Sequence, residues 1–290
     1  MILDAILVQA AVEAGAELRE NFTVKEVVWD NGRVVGIRGR SHGGAMVTER
    51  ARVVIGADGL HSTVARAVGA PAYEEHSPRT HTYYTYWAGV PIERIEYHMV
   101  PGLGAVASPT NDDLVMVALA WSVRTHPAGV SEDIQGHYMA ALEQLPSLAA
   151  RVLSGERMER FVGMANIPNL FRLSSGPGWA LVGDAGYHKD PAAPQGITDA
   201  FRDAEHLAET LDRALTGTIA LDDALADYSR RRDQEALPWY RWALRFASFD
   251  ELSPPMRDMF VALAADQEWA NRFCGLNAEN VDPETFFATP

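Results

Sequence analysis

The chain is nearly devoid of cysteine. Cys274 is its one thiol, which excludes an internal disulfide framework and any cysteine-based metal site. It has no basic surplus either. Against 39 Asp and Glu stand 25 Lys and Arg, a formal net charge of −14. A nucleic-acid backbone would be repelled overall, and no basic cluster argues otherwise. No apolar run approaches the roughly 20 residues that span a bilayer. Met1-Ile2-Leu3-Asp4 has no basic n-region and no cleavage pattern after it, so it does not read as a signal peptide. These absences fit a cytoplasmic setting. The histidines His42, His61, His76, His98 and His126 have no spacing that suits a metal. Internal repeats and low-complexity tracts are missing too. What is present is ordinary: 47% apolar and 22% charged residues, over a length that suits one large domain or two smaller ones.

The stretch from Ala180 to Leu211, ALVGDAGYHKDPAAPQGITDAFRDAEHLAETL, organises the rest. Trp179 to Val182 is a short apolar run that ends in Gly183-Asp184, a strand entering a turn. The loop beyond holds Pro191 and Pro194 and ends at Gln195-Gly196. Ile197, Ala200, Phe201, Ala204, Leu207, Ala208 and Leu211 then recur at three- and four-residue steps, the expected apolar face of a helix. An Asp at a strand end followed by a glycine at a helix start suits a bound cofactor. The carboxylate accepts hydroxyl hydrogen bonds, and the helix start offers free N–H groups and a positive dipole end.

Read in order, Leu3, Ile6, Leu7, Ala10, Ala11 and Ala14 predict a helix stopped at Gly15. Phe22 to Trp29 and Arg33 to Ile37 flank Asp30-Asn31-Gly32, a hairpin pattern, and a third strand is expected over Ala45 to Glu49. Val53 to Ala57 is short and unbroken, the mark of a strand buried on both faces; it runs into Asp58-Gly59, and Ser62 caps a short helix to Val68. Strands are expected over Thr82 to Val90, Ile95 to Val100, Ala105 to Ser108 and Leu114 to Trp121, an antiparallel sheet inserted between α/β-like segments. Ser131 to Leu153 reads as a helix kinked at Pro146, and Glu159 to Leu170 as extended. The tail from Leu221 is helical, with Pro238 a potential interruption and Pro254-Pro255 opening another helix to Ala265. The triplet Arg230 to Arg232 reads as a solvated face, and Cys274, with no His partner nearby, as inert.

Gly183, Asp184, Ala185, His188, Pro191, Gly196 and Asp203 resemble the second FAD-binding motif of the flavoprotein monooxygenases with the para-hydroxybenzoate hydroxylase fold. VVIGADGLHSTVARAVGA is similar to their "DG" motif, with Asp58, Gly59, Ser62 and Arg66 at matching positions. Departures are visible: Ile197-Thr198-Asp199 replaces the family's glycine and asparagine after the loop glycine, one extra residue separates Asp184 from His188, and Arg66 lies one residue further from Ser62. The resemblance implies a mixed α/β (α+β) fold. A partial Rossmann-like FAD/NAD(P)-binding domain would occupy residues 1–75 and 174–216, a substrate-domain sheet and helix 76–173, and a helical tail 217–290. It implies FAD as cofactor, NAD(P)H as co-substrate, and transfer of one oxygen atom of O2 to a small organic substrate, aromatic in kind. Asp184 would bind the ribityl chain, and the Gly196 and Ile197 N–H groups the pyrimidine edge of the flavin. Pro191 would pack near the reactive edge, and Asp58 and Gly59 would lie near the pyrophosphate. His188 either orients the loop or is a plain hydrogen-bonded residue, and Lys189 and Asp190 flank the ring side. Tyr84, Tyr86, Trp87 and Trp121 either line the substrate pocket or fill the sheet core.

The family's G-x-G-x-x-G unit is absent from this sequence. Against the family layout about the first hundred residues are missing. The expectation is therefore a fragment, a start placed too late, or a chain that has lost its first βαβ unit. An unpaired edge on the Val53–Ala57 strand would then favour weak FAD binding or a homodimer. Two alternatives to a monooxygenase stay open. One is a related flavoprotein, a reductase or halogenase; the halogenase signature Trp-x-Trp-x-Ile-Pro is absent, Ala120-Trp121-Ser122 being the nearest stretch. The other is a non-catalytic protein without cofactor.

Overall fold

Asn31 and Gly32 both take positive φ, +47° and +77°, the conformation whose twist matches the strands of a tight hairpin. They join β1 (Phe22–Asp30) to β2 (Arg33–Ser41), with Asp30 opposite Arg33, and β3 (Val47–Arg50) pairs with β2. The computed structural model describes residues 2–125, 132–251, 253–278, 280–282 and 285–286; His126 and Ser131 lie outside them. The first helix, α1 (Ile2–Glu13), forms as its periodicity predicts, yet buries none of its residues.

Next come β4 (Val54–Gly56), α2 (Thr63–Val68), β5 (Ala72–His76), β6 (Thr80–Ala88), β7 (Glu96–Val100), β8 (Leu103–Pro109) and β9 (Leu114–Ser122). The helix expected over Ser131 to Leu153 is two helices, α3 (Ile134–Glu143) and α4 (Pro146–Val152). Pro146 sits in the first turn of α4, where its missing N–H had no partner to lose. The extended segment predicted over Glu159 to Leu170 breaks into pieces. β10 (Glu156–Arg157) and β11 (Val162–Met164) pair with β6, and β12 (Asn169–Arg172) pairs with β5. The large sheet runs in the order β10-β6-β9-β8-β7 and is antiparallel throughout. One face closes on α3 and α4: Tyr83, Trp87, Leu119 and Trp121 meet Tyr138, Leu142 and Leu148, and the Tyr138 hydroxyl donates to the Val117 carbonyl at 2.9 Å. Trp87 and Trp121 are therefore core, while Tyr84 and Tyr86 lie half-buried on the opposite face.

The chain continues through β13 (Ser175–Gly176), β14 (Trp179–Leu181), β15 (Tyr187–His188), α5 (Gly196–Leu215), α6 (Leu221–Phe246), α7 (Pro254–Ala265) and α8 (Gln267–Asn277). Pro238 does not interrupt α6, although proline removes one helical hydrogen bond. Its neighbours Ala236, Trp239, Tyr240 and Trp242 are buried, and that packing holds the helix together. β14 pairs with β13 on one side and, in parallel, with β4 on the other. β4 is thus an edge strand among the described residues. Val54 and Gly56 are buried, but Ile55 is 43% exposed, so the strand expected to be buried on both faces is covered on one. No helix among the described residues is long and apolar enough to cross a membrane.

Candidate cofactor site

Parallel pairing sets Gly56 beside Leu181, and the Val182 N–H donates to the Gly56 carbonyl at 3.0 Å. The turns that follow, Asp58-Gly59 and Gly183-Asp184, therefore leave the same edge of one small sheet. The carboxyl ends of parallel strands are where open α/β sheets bind ligands. Both glycines take the left-handed conformation, φ +74° at Gly59 and +55° at Gly183.

Asp58 is engaged in its own helix. Its carboxylate accepts from the Ser62 hydroxyl at 2.5 Å and from the N–H groups of Thr63 and Val64 at 2.7 and 3.2 Å. Ser62 caps α2 by accepting from Ala65, as its sequence position predicts. Arg66 donates to the His61 carbonyl at 2.8 Å and to Thr63 at 3.2 Å, and its side chain reaches solvent. Sequence reasoning missed Arg172, on β12. Its guanidinium donates to the Leu60 carbonyl at 3.3 Å and to the Ala185 carbonyl at 3.0 Å, tying one turn to the other. Burial first, and then the charge of Arg66, draw the Arg172 guanidinium below its ordinary range, with Asp58 opposing. The Arg66 and Arg172 guanidiniums are thus near enough to repel.

Asp184 opens onto solvent while protein atoms crowd its other sides. That partial desolvation raises its carboxyl, and His188 pulls the other way. His188 is half-buried and donates through Nδ1 to the Pro168 carbonyl at 2.8 Å, which anchors the loop. Lys189 and Asp190 are buried. Lys189 pairs with Asp199 at 2.8 Å, and Asp190 accepts from Thr80 at 2.7 Å and from the Ala192 N–H at 3.0 Å. Both side chains hold the loop. Pro191 is exposed at its crest.

Helix α5 turns a different face inward from the one its apolar spacing predicts. Leu207 and Leu211 are buried, but with Asp199, Asp203, His206 and Thr210; Ile197 is 64% and Phe201 48% exposed. Electrostatics explains the rotation. Asp199 takes Lys189 and, at 2.6 Å, Arg202, while Asp203 accepts the Gly183 N–H at 3.0 Å. Burial lifts the Asp203 carboxyl to about 7, against the pull of Arg232. Gln195 provides no side-chain cap, so the first N–H groups of α5, at Gly196 and Ile197, have no intrahelical partner. Open space surrounds the position a Cβ would take on Gly196 or Gly59.

The basic triplet is split. Arg230 is exposed and pairs with Asp227 at 2.9 Å, whereas Arg232 is only 1% exposed and is no solvated face. Arg232 lies over the rings of Phe171 and Tyr187, 4.9 and 5.5 Å from their centroids, and donates to the Arg172 carbonyl at 2.8 Å and to Tyr73 at 3.1 Å. It thus supports the strand that carries Arg172. No described residues form a metal-ligand cluster.

The profile of the FAD binding domain family matches residues 2–243. Among curated proteins, the digeranylgeranylglycerophospholipid reductase of Methanocella arvoryzae is 28% identical over 219 residues, covering 69% of this chain and 50% of its own length. Among solved structures, the myxobacterial FAD-dependent chondrochloren halogenase CndH superposes with a TM-score of 0.72 at 20% identity, over 91% of this chain and 65% of that one. PqsL of Pseudomonas aeruginosa, described as a probable FAD-dependent monooxygenase, superposes with a TM-score of 0.63 at 24% identity, over 94% of this chain and 71% of that one. At those identities the superpositions show the fold. This chain spans half the length of the reductase it matches.

Proposed function

The chain belongs to the FAD-binding-domain family, and from that premise we propose that it is a flavin-dependent monooxygenase acting on a small organic substrate, aromatic in kind, with NAD(P)H and O2. The observation that carries the reading is Arg172, which ties the two motif turns together at the ends of adjacent parallel strands. The residues present fit FAD. Asp184 offers a solvent-facing acceptor suited to ribityl hydroxyls. The uncapped start of α5 offers the Gly196 and Ile197 N–H groups to the pyrimidine edge, where negative charge gathers on reduction. Gly59 leaves room for close backbone approach, and Arg66 and Arg172 would relieve their mutual repulsion on a pyrophosphate. Asp58 acts by holding that turn through α2, and Pro191 would help to keep water from the ring. When bound, FAD accepts electrons from the nicotinamide and carries the redox chemistry; the protein binds, orients and excludes water. On this reading residues 1–75 and 174–216 hold the cofactor, 76–173 cover it, and 217–290 form the helical flank.

A second reading, a reductase that saturates double bonds, draws on the similarity to the Methanocella reductase. Visible spectra of the purified chain before and after addition of FAD test the shared part: a retained flavin band is expected, and a colourless protein sinks both readings. NAD(P)H-dependent oxygen uptake that rises with a hydroxylatable aromatic supports the monooxygenase. NAD(P)H oxidation without oxygen uptake supports the reductase.

A further inference from the structure

A cavity of about 570 Å³ lies between β7, the C-terminal end of α6, and helices α7 and α8. That volume is in the range of small-molecule sites. Met99, Trp242, Phe246, Phe249, Phe260 and Phe273 supply its apolar wall. Trp242 and Phe246 stack at 5.1 Å with an interplanar angle of 11°, and Phe260 and Phe273 meet edge to face at 5.1 Å. Such faces suit a flat apolar body.

Into this wall comes a half-buried cation. Arg79 lines the cavity, and its Nε is buried with no hydrogen-bond partner among the described residues. Asp250 feels the charge of Arg79, but its ion pair is with Arg124, which also donates to the Ser248 carbonyl at 3.1 Å. Two other charges, Arg245 and Glu251, are exposed at the margin. A desolvated guanidinium N–H without an acceptor is destabilising, and a carboxylate is the acceptor that its fork geometry matches.

The cavity also touches the cofactor loop. Ala192 packs in one cluster with Phe249, and Ala193 in another with Trp242, so two wall residues rest on the loop between β15 and α5. Phe249 itself is held under strain. Its φ is +46°, rare for a bulky side chain, and a Cβ built on Gly104 would lie 2.4 Å from its ring.

We propose that this cavity receives the organic substrate, and that the substrate is a flat apolar molecule bearing one carboxylate or comparable anionic group, seated on Arg79. That the bound molecule is a substrate rests on the oxidoreductase reading; the binding chemistry rests on the cavity.

The test is calorimetric titration of the full chain, supplemented with FAD, with 1-naphthoate and with its neutral counterpart 1-naphthamide. Naphthoate is expected to bind about tenfold more tightly, the scale of a charge-assisted hydrogen bond. Arg79→Met should abolish that preference, and Arg79→Lys should restore most of it. Met256→Trp, at a half-exposed cavity residue on α7, should block both ligands while leaving FAD uptake unchanged. Equal affinities in the unaltered chain, no binding of either ligand, or a preference that survives Arg79→Met would overturn the proposal. So would naphthoate binding that Met256→Trp leaves untouched. The flavin band recorded on the same samples separates the two claims: naphthoate preference without flavin uptake sinks the oxidoreductase reading alone, and flavin uptake without preference sinks the anion site alone.

Discussion

Beneath the large sheet, Trp121 and Tyr138 are buried among aliphatic and aromatic side chains, and the hydroxyl of Tyr138 is satisfied by one backbone carbonyl. Around α5 the buried positions include Asp199, Asp203, Lys189 and Arg232 beside Leu207 and Leu211, while Ile197, Phe201 and, on β4, Ile55 face outward. The first region gains stability from apolar burial, about 25 cal/mol per Å² removed from water. The second buries charges, which contribute little net stability but fix geometry when paired. The contrast separates a part of the chain held by apolar packing from a part in which paired charges hold two turns in place.

The largest effect should fall in the apolar region. Trp121→Ala is expected to lower unfolding stability by about 4 kcal/mol, read from urea melts. A loss below about 1 kcal/mol would show that the sheet core is not the stabilising half. Next comes Arg232→Met, which leaves Asp233 and Tyr73 without their buried partner. A loss of about 3 kcal/mol is expected; a variant as stable as the parent would make the charged region as replaceable as a hydrophobic one.

Arg172→Met should act on function more than on stability. FAD affinity should fall about tenfold in a fluorescence titration, because the Leu60 and Ala185 carbonyls lose their common donor. An unchanged affinity would remove Arg172 from the site.

Asp203 sharpens the comparison through pH. Burial raises its folded pKa from 3.8 to about 7, so its contribution is full below about pH 4 and is lost as pH rises through 7. Relative to Asp203→Asn, the parent should therefore lose stability over that window, by about 1 kcal/mol per pH unit at the steepest. A constant difference from pH 4 to 8 would contradict a buried, titrating carboxylate. The smallest effect is expected at Phe201→Ser, within about 0.5 kcal/mol of the parent, since the ring is half in solvent. A larger loss would mean that the outward face of α5 is covered in solution.

Much of this was legible in the sequence where the physics is local. The Asn31-Gly32 turn, the Ser62 cap and the alternating strand β6 follow from backbone preference and side-chain period alone. Pattern reading failed where a distant partner decided. Pro238 stays inside α6 because of its buried neighbours, and Arg232 leaves solvent because two aromatic rings and a strand carbonyl receive it. The apolar stripe of α5 misled because periodicity records which residues share a face, and says nothing of what that face meets. Lys189 and the Gly183 N–H, both outside the helix, drew its carboxylates inward instead.

The sequence by itself determined the first hairpin, strands β6 to β9, the two glycine–aspartate turns and the open start of α5, all properties of neighbouring residues. Only the tertiary structure set those turns side by side, through the parallel pairing of β4 with β14. It alone chose Arg172 to tie them and left the Arg79 Nε without a hydrogen-bond partner among the described residues, because hydrogen bonding and desolvation depend on groups that the chain brings together only when it folds.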